Sequence, residues 1–441
     1  MNEDSFDFLE TLELLDESQW LYKDPVTEVL LKGHLDSFPS QWLDALQDLT
    51  NNELNDLVVN KFIKSSWPIE LVQFVKKCDK LNKLNKFIPV EIPSLPNHFK
   101  QGLSLKKQHE IFYLAKLTHE KCLETGINTI VDLGAGLGYI CQILNYLYGY
   151  RILGFESNKK NQITAEERQK KLYPESLNDV KYICSTITDE SSDDIESILD
   201  NFLNKKDEKI CIIGLHSCGD LSVNACKLFS KLPRAKLLII VSCCYHKIEF
   251  DNDSNKYKNF PISNTLSAAI KNYPNDVYKF LNRSFLRLAC QEPADRWENM
   301  SADQHQEHAF CVLARAVLEF YTRQNGINLK KQVRKATRKS QCLDFDTYLV
   351  DSLQRYSFNN VNQSTDSQLT NSIKKIWQDN KSKLNTAEIY TGLQLLLQAP
   401  CESLVLNDRR SWLIEQGYNS QIIPISNSKI SPRCHAIVAI K

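Results

Sequence analysis

Three glycines and two carboxylates define the first chemistry this chain offers. Asp132, Gly134, Gly136 and Gly138 stand at alternate positions where the apolar run 129–133 ends, and helix-forming sequence begins at Tyr139. A second apolar run, 150–155, ends in Glu156, which lies 18 residues beyond Gly138. Strand, glycine turn, helix, then a strand ending in an acid is how a parallel α/β sheet presents a backbone-lined cradle to a nucleoside cofactor. Dinucleotide enzymes favour G-x-G-x-x-G, with a pyrophosphate at the helix N-terminus. The spacing here is D-x-G-x-G-x-G. A carboxylate two residues before the first glycine repels phosphate and suits a ligand that carries an ammonium group. S-adenosylmethionine, with its amino-acid end, fits that description and NAD does not. Gly134 and Gly136 let the backbone approach the ligand, and Gly138 lets the helix pack close to the sheet. Glu156 is placed to accept both ribose hydroxyls, and Asp189, after the third strand, is the candidate for the adenine amino group.

A second set of residues falls at the ends of the fourth and fifth apolar runs. One run closes in Gly214-Leu215-His216-Ser217-Cys218-Gly219-Asp220, the other in Ser242-Cys243-Cys244-Tyr245-His246. Ligands sit outside the carboxyl ends of such strands, so His216, Asp220, Tyr245 and His246 are expected to line the methyl-acceptor side. Histidine titrates near neutral pH and is the common choice for moving a proton off a hydroxyl or amine. Methyl transfer from a sulfonium is an in-line displacement, so placement matters more than base strength. The cysteines beside these histidines lack the paired C-x-x-C spacing of a zinc knuckle, and the sequence assigns no metal.

Strand patterns are expected at 129–133, 151–156, 180–185, 209–215 and 236–243, with helical patterns between them. This alternation predicts a doubly wound, mostly parallel sheet. Residues 1–97 read as a helical N-terminal extension ending in a connector punctuated by Pro89, Pro93 and Pro96. Residues 98–441 read as one α/β domain with an inserted segment over about 322–400. Helical patterns are expected at 308–321 and 403–416, a loop at 251–258, and two closing strands at 420–425 and 434–440. Lys106, Lys107 and His109 precede the first strand and are placed to cover the cofactor. Lys330, Lys331, Arg334, Lys335, Arg338 and Lys339 form a basic run suited to phosphate contact or to a solvated helix face.

The 54 basic and 54 acidic residues balance, so no global field attracts nucleic acid or a membrane. The acidic N-terminus lacks the layout of a signal peptide, and no apolar run approaches a membrane span. The 14 cysteines are expected to be reduced thiols of a cytoplasmic or nuclear protein.

Several blocks together resemble the methyltransferase-like protein 25 family, some of whose members are called ribosomal RNA adenine dimethylase domain-containing proteins. They are Lys106-Lys107-Gln108-His109-Glu110, the glycine segment, His216-Ser217-Cys218-Gly219-Asp220-Leu221 and Cys243-Cys244-Tyr245-His246. Cys290-Gln291-Glu292-Pro293, Asp408-Arg409-Arg410 and Ser431-Pro432-Arg433-Cys434 extend the match. More distantly, the His-x-Cys-Gly element followed by paired cysteines is similar to tRNA 2′-O-methyltransferases of the Trm13 type. The resemblance implies a class I methyltransferase fold: a seven-stranded, mostly parallel Rossmann-like sheet with helices on both faces. It also implies S-adenosylmethionine as cofactor. RNA is the favoured acceptor, a protein side chain the alternative, and a non-catalytic scaffold or RNA-binding protein the rival of another class. Adenine N6 dimethylation is not implied, because Gly214-Leu215-His216-Ser217 stands where an Asn-Pro-Pro-Tyr motif would be. Leu105 stands where the family tends to place a proline before the dilysine.

Overall fold

The computed structural model describes residues 6–91, 95–203, 207–327, 329–332, 344–358 and 367–441. Seven strands form its main sheet. They are β1 (Thr129–Leu133), β2 (Arg151–Glu156), β3 (Val180–Cys184), β4 (Ile210–Cys218), β5 (Ala235–Cys243), β6 (Asn419–Pro424) and β7 (His435–Ile440). In these labels their order across the sheet is β6-β7-β5-β4-β1-β2-β3. β1 to β5 pair in parallel, whereas β7 runs antiparallel to both β5 and β6. This is the seven-stranded sheet of a class I methyltransferase, with one reversed strand slotted between β5 and β6.

Alternation along the strands explains why both faces are covered. Val131, Leu133, Ile212, Leu238 and Ile240 enter one apolar cluster, and Ile130, Ile213, Leu237, Ile239 and Val241 the other. A strand buried on both sides reads as a continuous apolar run, and that made β1, β4 and β5 visible in the sequence. The chain leaves β1 toward β2 and β3 on one side and reaches β4 and β5 on the other. Asp132 is thus registered with Gly154 on β2 and Ile213 on β4, at the point where the winding reverses. A crevice opens there beyond the carboxyl ends of the strands.

The N-terminal helices α1 (Phe8–Glu17), α2 (Ser40–Leu46), α3 (Asn51–Asn60) and α4 (Ile69–Leu81) pack into the first cluster. There Leu12, Leu15, Val58 and Leu71 share one buried cluster with Leu313 and Val317 of the later helix Ala302–Gln324. Helix α5 (Leu105–Thr125) leads into β1. The Ser104 hydroxyl caps its start by accepting the Lys107 amide proton at 3.3 Å, and Gly126, left-handed at φ 67°, ends it. Turn residues at both ends fix where α5 lies over the crevice.

Two regions depart from expectation. The helix expected at 403–416 spans Leu384–Glu415, and Tyr390, Leu393, Leu397, Cys401 and Leu404 along it are buried. The last part of the expected insertion, 384–400, is therefore part of the core. Its apolar residues cover all sides of the helix, so no amphipathic period betrays it, and Pro400 within it reads as a break. At 251–258 the expected loop is a short hairpin, Phe250–Asp251 against Lys256–Tyr257. Of the basic run, Lys330 and Lys331 fall on a short strand, Leu329–Lys331, paired with Tyr356–Phe358. Arg334, Lys335, Arg338 and Lys339 lie outside the described residues. Among the described residues, no helix is long and apolar enough to cross a membrane.

Candidate active site

The loop after β1 folds back onto β2. The amides of Gly134 and Ala135 both donate to the Phe155 carbonyl, at 2.8 and 2.9 Å. All three glycines are left-handed, and at Gly138 a side chain is also excluded by its neighbour. A Cβ on Gly138 would sit 2.2 Å from the Tyr182 hydroxyl oxygen, so β3 presses directly on the start of α6 (Tyr139–Tyr148). Gly136, at φ 58°, has no atom nearer than 3.9 Å to such a Cβ, which leaves open space on that side of the loop.

Glu156 anchors the other side of the cradle. Its Oε2 accepts the Gly136 amide proton at 2.9 Å, and its Oε1 accepts that of Asn158 at 2.8 Å. Each carboxylate oxygen keeps a second lone pair, so a vicinal diol can still be received without breaking either bond. Asp132 lies deeper, only 1% exposed, at the floor of a pocket also lined by Gly134, Ala135, Gly136, Lys107, Glu110 and His216. Burial raises its carboxyl to about 7, the Cys141 thiol at 3.2 Å lowers it in part, and the Glu156 charge adds to the rise. An acid poised at neutrality, in a cavity floored by backbone, fits the ammonium end of S-adenosylmethionine. An ammonium there supplies the opposite charge that burial denies Asp132.

His216 is the one expected acceptor-side residue among those lining that pocket. The register of β4 against β5 shifts between Gly214 and Ser217, and His216 takes a left-handed φ of 60°. A bulge of this kind re-aims a side chain. His216 Nε2 lies 3.0 Å from Oε2 of Glu110, whose side chain is fully buried on α5. Ser431 donates to the other Glu110 oxygen, and the Lys106 ammonium lies 3.8 Å away. Burial pushes the Glu110 carboxyl up, but the His216 and Ser431 hydrogen bonds and the Lys106 charge hold it below its ordinary value. An ionised Glu110 must accept, so the neutral form of His216 would carry its proton on Nε2 and present Nδ1 as the base. Glu110 and Ser431 were not singled out as site residues. A carboxylate placed among the buried residues of α5, Ile111 and Leu114, was the available signal.

The other candidates are occupied elsewhere. Asp220 accepts the Glu249 amide proton at 3.0 Å and the Asn259 side-chain amide at 2.8 Å, tying the start of the next helix to the 250–257 hairpin. Tyr245 is 1% exposed, donates to Glu402 at 3.1 Å, and lies beneath the Arg409 guanidinium at 5.2 Å. Its position is a core one. His246 contacts the Cys290 thiol at 3.1 Å, and its carbonyl accepts from Arg283. Burial and the neighbouring Arg287, Lys247 and Arg283 charges lower its pKa. Asp189 pairs with Lys227 at 3.3 Å, its carbonyl accepting from Lys231, and it is not among the pocket residues. All four follow a strand end by two to five residues, and partners distant in the chain hold their side chains. Of the cover residues, Lys107 lines the pocket, whereas His109 accepts the Asn427 amide proton at 2.9 Å.

A family model described as a methyltransferase domain matches residues 106–251. A mouse (Mus musculus) protein named "Probable methyltransferase-like protein 25" is 25% identical over 237 residues, 53% of this chain and 38% of its own length. The human (Homo sapiens) protein of that name is 22% identical over 470 residues, 77% of this chain and 75% of its own. The match therefore spans well under half of the mouse relative. Among solved structures, a SAM-dependent methyltransferase from Aquifex aeolicus is 17% identical, covering 36% of this chain and 77% of its own, with a TM-score of 0.22. A geranyl diphosphate C-methyltransferase from Streptomyces coelicolor is 14% identical, covering 38% and 63%, with a TM-score of 0.20. Scores this low add nothing to the sheet order. The chain carries a methyltransferase domain, with a cradle that fits S-adenosylmethionine, and over most of its length it is similar to methyltransferase-like protein 25.

Proposed function

We propose that this protein is an S-adenosylmethionine-dependent methyltransferase acting on a protic acceptor, a hydroxyl or an amine. The observation that carries this reading is one pocket shared by Asp132, the Gly134–Gly136 backbone and His216, with His216 held by buried Glu110. Asp132 and Glu156 hold the amino-acid and ribose ends of the cofactor, and Gly134, Gly136 and Gly138 shape the backbone between them. Bound there, the cofactor supplies an electrophilic methyl group. His216 Nδ1 would accept the proton that the acceptor gives up as it takes the methyl group. Glu110 positions the imidazole and stabilises the imidazolium that forms. An RNA hydroxyl is the acceptor class we favour, supported by the likeness of His216-Ser217-Cys218-Gly219 and Cys243-Cys244 to Trm13-type enzymes. The place of action that goes with such an acceptor is the cytoplasm or nucleus.

Isothermal titration with S-adenosylhomocysteine tests the cofactor assignment. The expected result is binding at one site per chain, greatly weakened in Asp132→Ala and Glu156→Ala. Absence of binding, or binding unchanged in both variants, would sink the proposal.

A further inference from the structure

Beyond the pocket, the bulge that re-aims His216 also carries Cys218 to the end of β5, where Cys243 and Cys244 wait. The three Sγ atoms all lie within 4.8 Å of one another, and Cys218 Sγ stands 2.9 Å from Cys243 Sγ. We propose that Cys218, Cys243 and Cys244 form a thiolate site for a borderline-soft divalent cation, zinc above all, with three protein ligands and an open fourth position.

Packing of small apolar thiols does not account for this cluster. Cys243 is buried, but Cys218 and Cys244 are partly exposed. Cys244 also sits in the left-handed region at φ 50°, as His216 does two residues before Cys218. Such a conformation is unfavourable for a non-glycine residue and persists where the surroundings enforce it. The surroundings here are tight. The Gly219 amide donates to the Cys243 carbonyl at 3.1 Å, and a Cβ on Gly219 would meet the Lys247 backbone at 3.1 Å. The two strand ends are thus locked together with their sulfurs converging.

The geometry suits zinc. Zinc–sulfur bonds of about 2.3 Å in a tetrahedron place sulfurs roughly 3.8 Å apart. Insertion therefore needs the closest pair to spread by only about 1 Å. Thiolates select zinc over the hard cations magnesium and calcium. Partial exposure of Cys218 and Cys244 gives an entry path and leaves the fourth position to water or another ligand. Lys247, against this loop, offsets part of the net negative charge that three thiolates leave on a dication. In the sequence the site is only a weak signal, because its ligands come from two strand ends and not from a C-x-x-C loop.

The test uses the purified full-length chain, stripped with chelator under a non-thiol reductant and then titrated with zinc chloride against a chromophoric chelator. Cobalt(II) serves as the spectroscopic probe. The expected result is one metal per chain and a thiolate-to-cobalt charge-transfer band, weaker by about a third in Cys218→Ser and in Cys244→Ser, consistent with three sulfur ligands. Affinity in each variant should fall by more than the ~100-fold that loss of an outer-sphere partner costs. Cys184→Ser, which removes an exposed cysteine elsewhere, should bind like the parent chain. Should a variant fail to fold, alkylation of the parent chain with and without zinc decides, with protection expected at Cys218, Cys243 and Cys244. The proposal is overturned by the absence of stoichiometric metal, by full binding in folded Cys218→Ser and Cys244→Ser, by alkylation that zinc does not slow, or by a Cys218–Cys243 disulfide that zinc does not prevent. None of these readouts depends on methyl transfer.

Discussion

Cofactor affinity should rise with pH through neutrality, because Asp132 must lose a proton to receive an ammonium. With the pocket free, burial holds the Asp132 carboxyl up to about 7, against 3.8 for an unburied aspartate. A ligand ammonium favours the ionised form and draws that value back down, so binding releases a proton wherever the free protein still holds one. Affinity is then at its plateau above about pH 8 and falls about tenfold for each unit below 7, or about 1.4 kcal/mol per unit. At pH 6 the dissociation constant should be about ten times the plateau value, with nearly one proton released per ligand bound. Titration calorimetry with S-adenosylhomocysteine, run at each pH in two buffers of different ionisation enthalpy, reads both quantities. Asp132→Asn should flatten the profile. The same group gives a stability signature of defined sign. The unfolded chain loses this proton near 3.8 and the folded chain near 7, so its contribution is full below pH 4 and is lost as pH rises to 7. The loss is about 4 kcal/mol and is absent from Asp132→Asn. A flat affinity between pH 5.5 and 8, or an unaltered profile in Asp132→Asn, would refute the assignment of Asp132 to the ammonium.

Five other outcomes follow from the geometry. Glu156→Ala removes an acceptor for two hydroxyls and for the Gly136 amide, so S-adenosylhomocysteine should bind about 10- to 100-fold more weakly by calorimetry. His216→Asn should lower turnover by about 10²- to 10⁴-fold in a labelled-methyl assay while leaving the S-adenosylhomocysteine dissociation constant within a factor of a few. Glu110→Gln should retain folding and cofactor binding but shift the pH–rate profile, because the imidazolium loses its negative partner; an unshifted profile would make Glu110 merely structural. Gly138→Ala forces a left-handed alanine against Tyr182 and should cost about 2–4 kcal/mol in denaturant unfolding. Tyr245→Phe, by contrast, should cost about 1 kcal/mol of stability through its lost bond to Glu402 and leave turnover unchanged, which separates a core tyrosine from one at the acceptor.

The sheet was legible because strands buried on both faces advertise themselves as apolar runs, and β1 and β2 fall where the runs do. The positions of Asp132, the glycines and Glu156 at the ends of β1 and β2 were legible because strand-turn-helix sequence fixes them through local backbone alone. For Asp220, Tyr245, His246 and Asp189, sequence gives a position near a strand end but says nothing of the partners Asn259, Glu402, Cys290 and Lys227 that hold their side chains. Glu110 was the converse case. Its role depends on α5 lying over β4, a contact across 106 residues that no local pattern reports. The first part of the helix Leu384–Glu415, before residue 403, escaped because burial on all sides erases the period by which helices are recognised.

The central claim is that a methyl group is handed from this cradle to an acceptor at His216. The most direct test is incubation of the purified chain with methyl-labelled S-adenosylmethionine and fractionated cell extract. Label should enter a macromolecular fraction, disappear with ribonuclease where RNA is the acceptor, and fail to enter with His216→Asn. Binding of S-adenosylhomocysteine with no label transferred to any fraction, or transfer undiminished in His216→Asn, would contradict it.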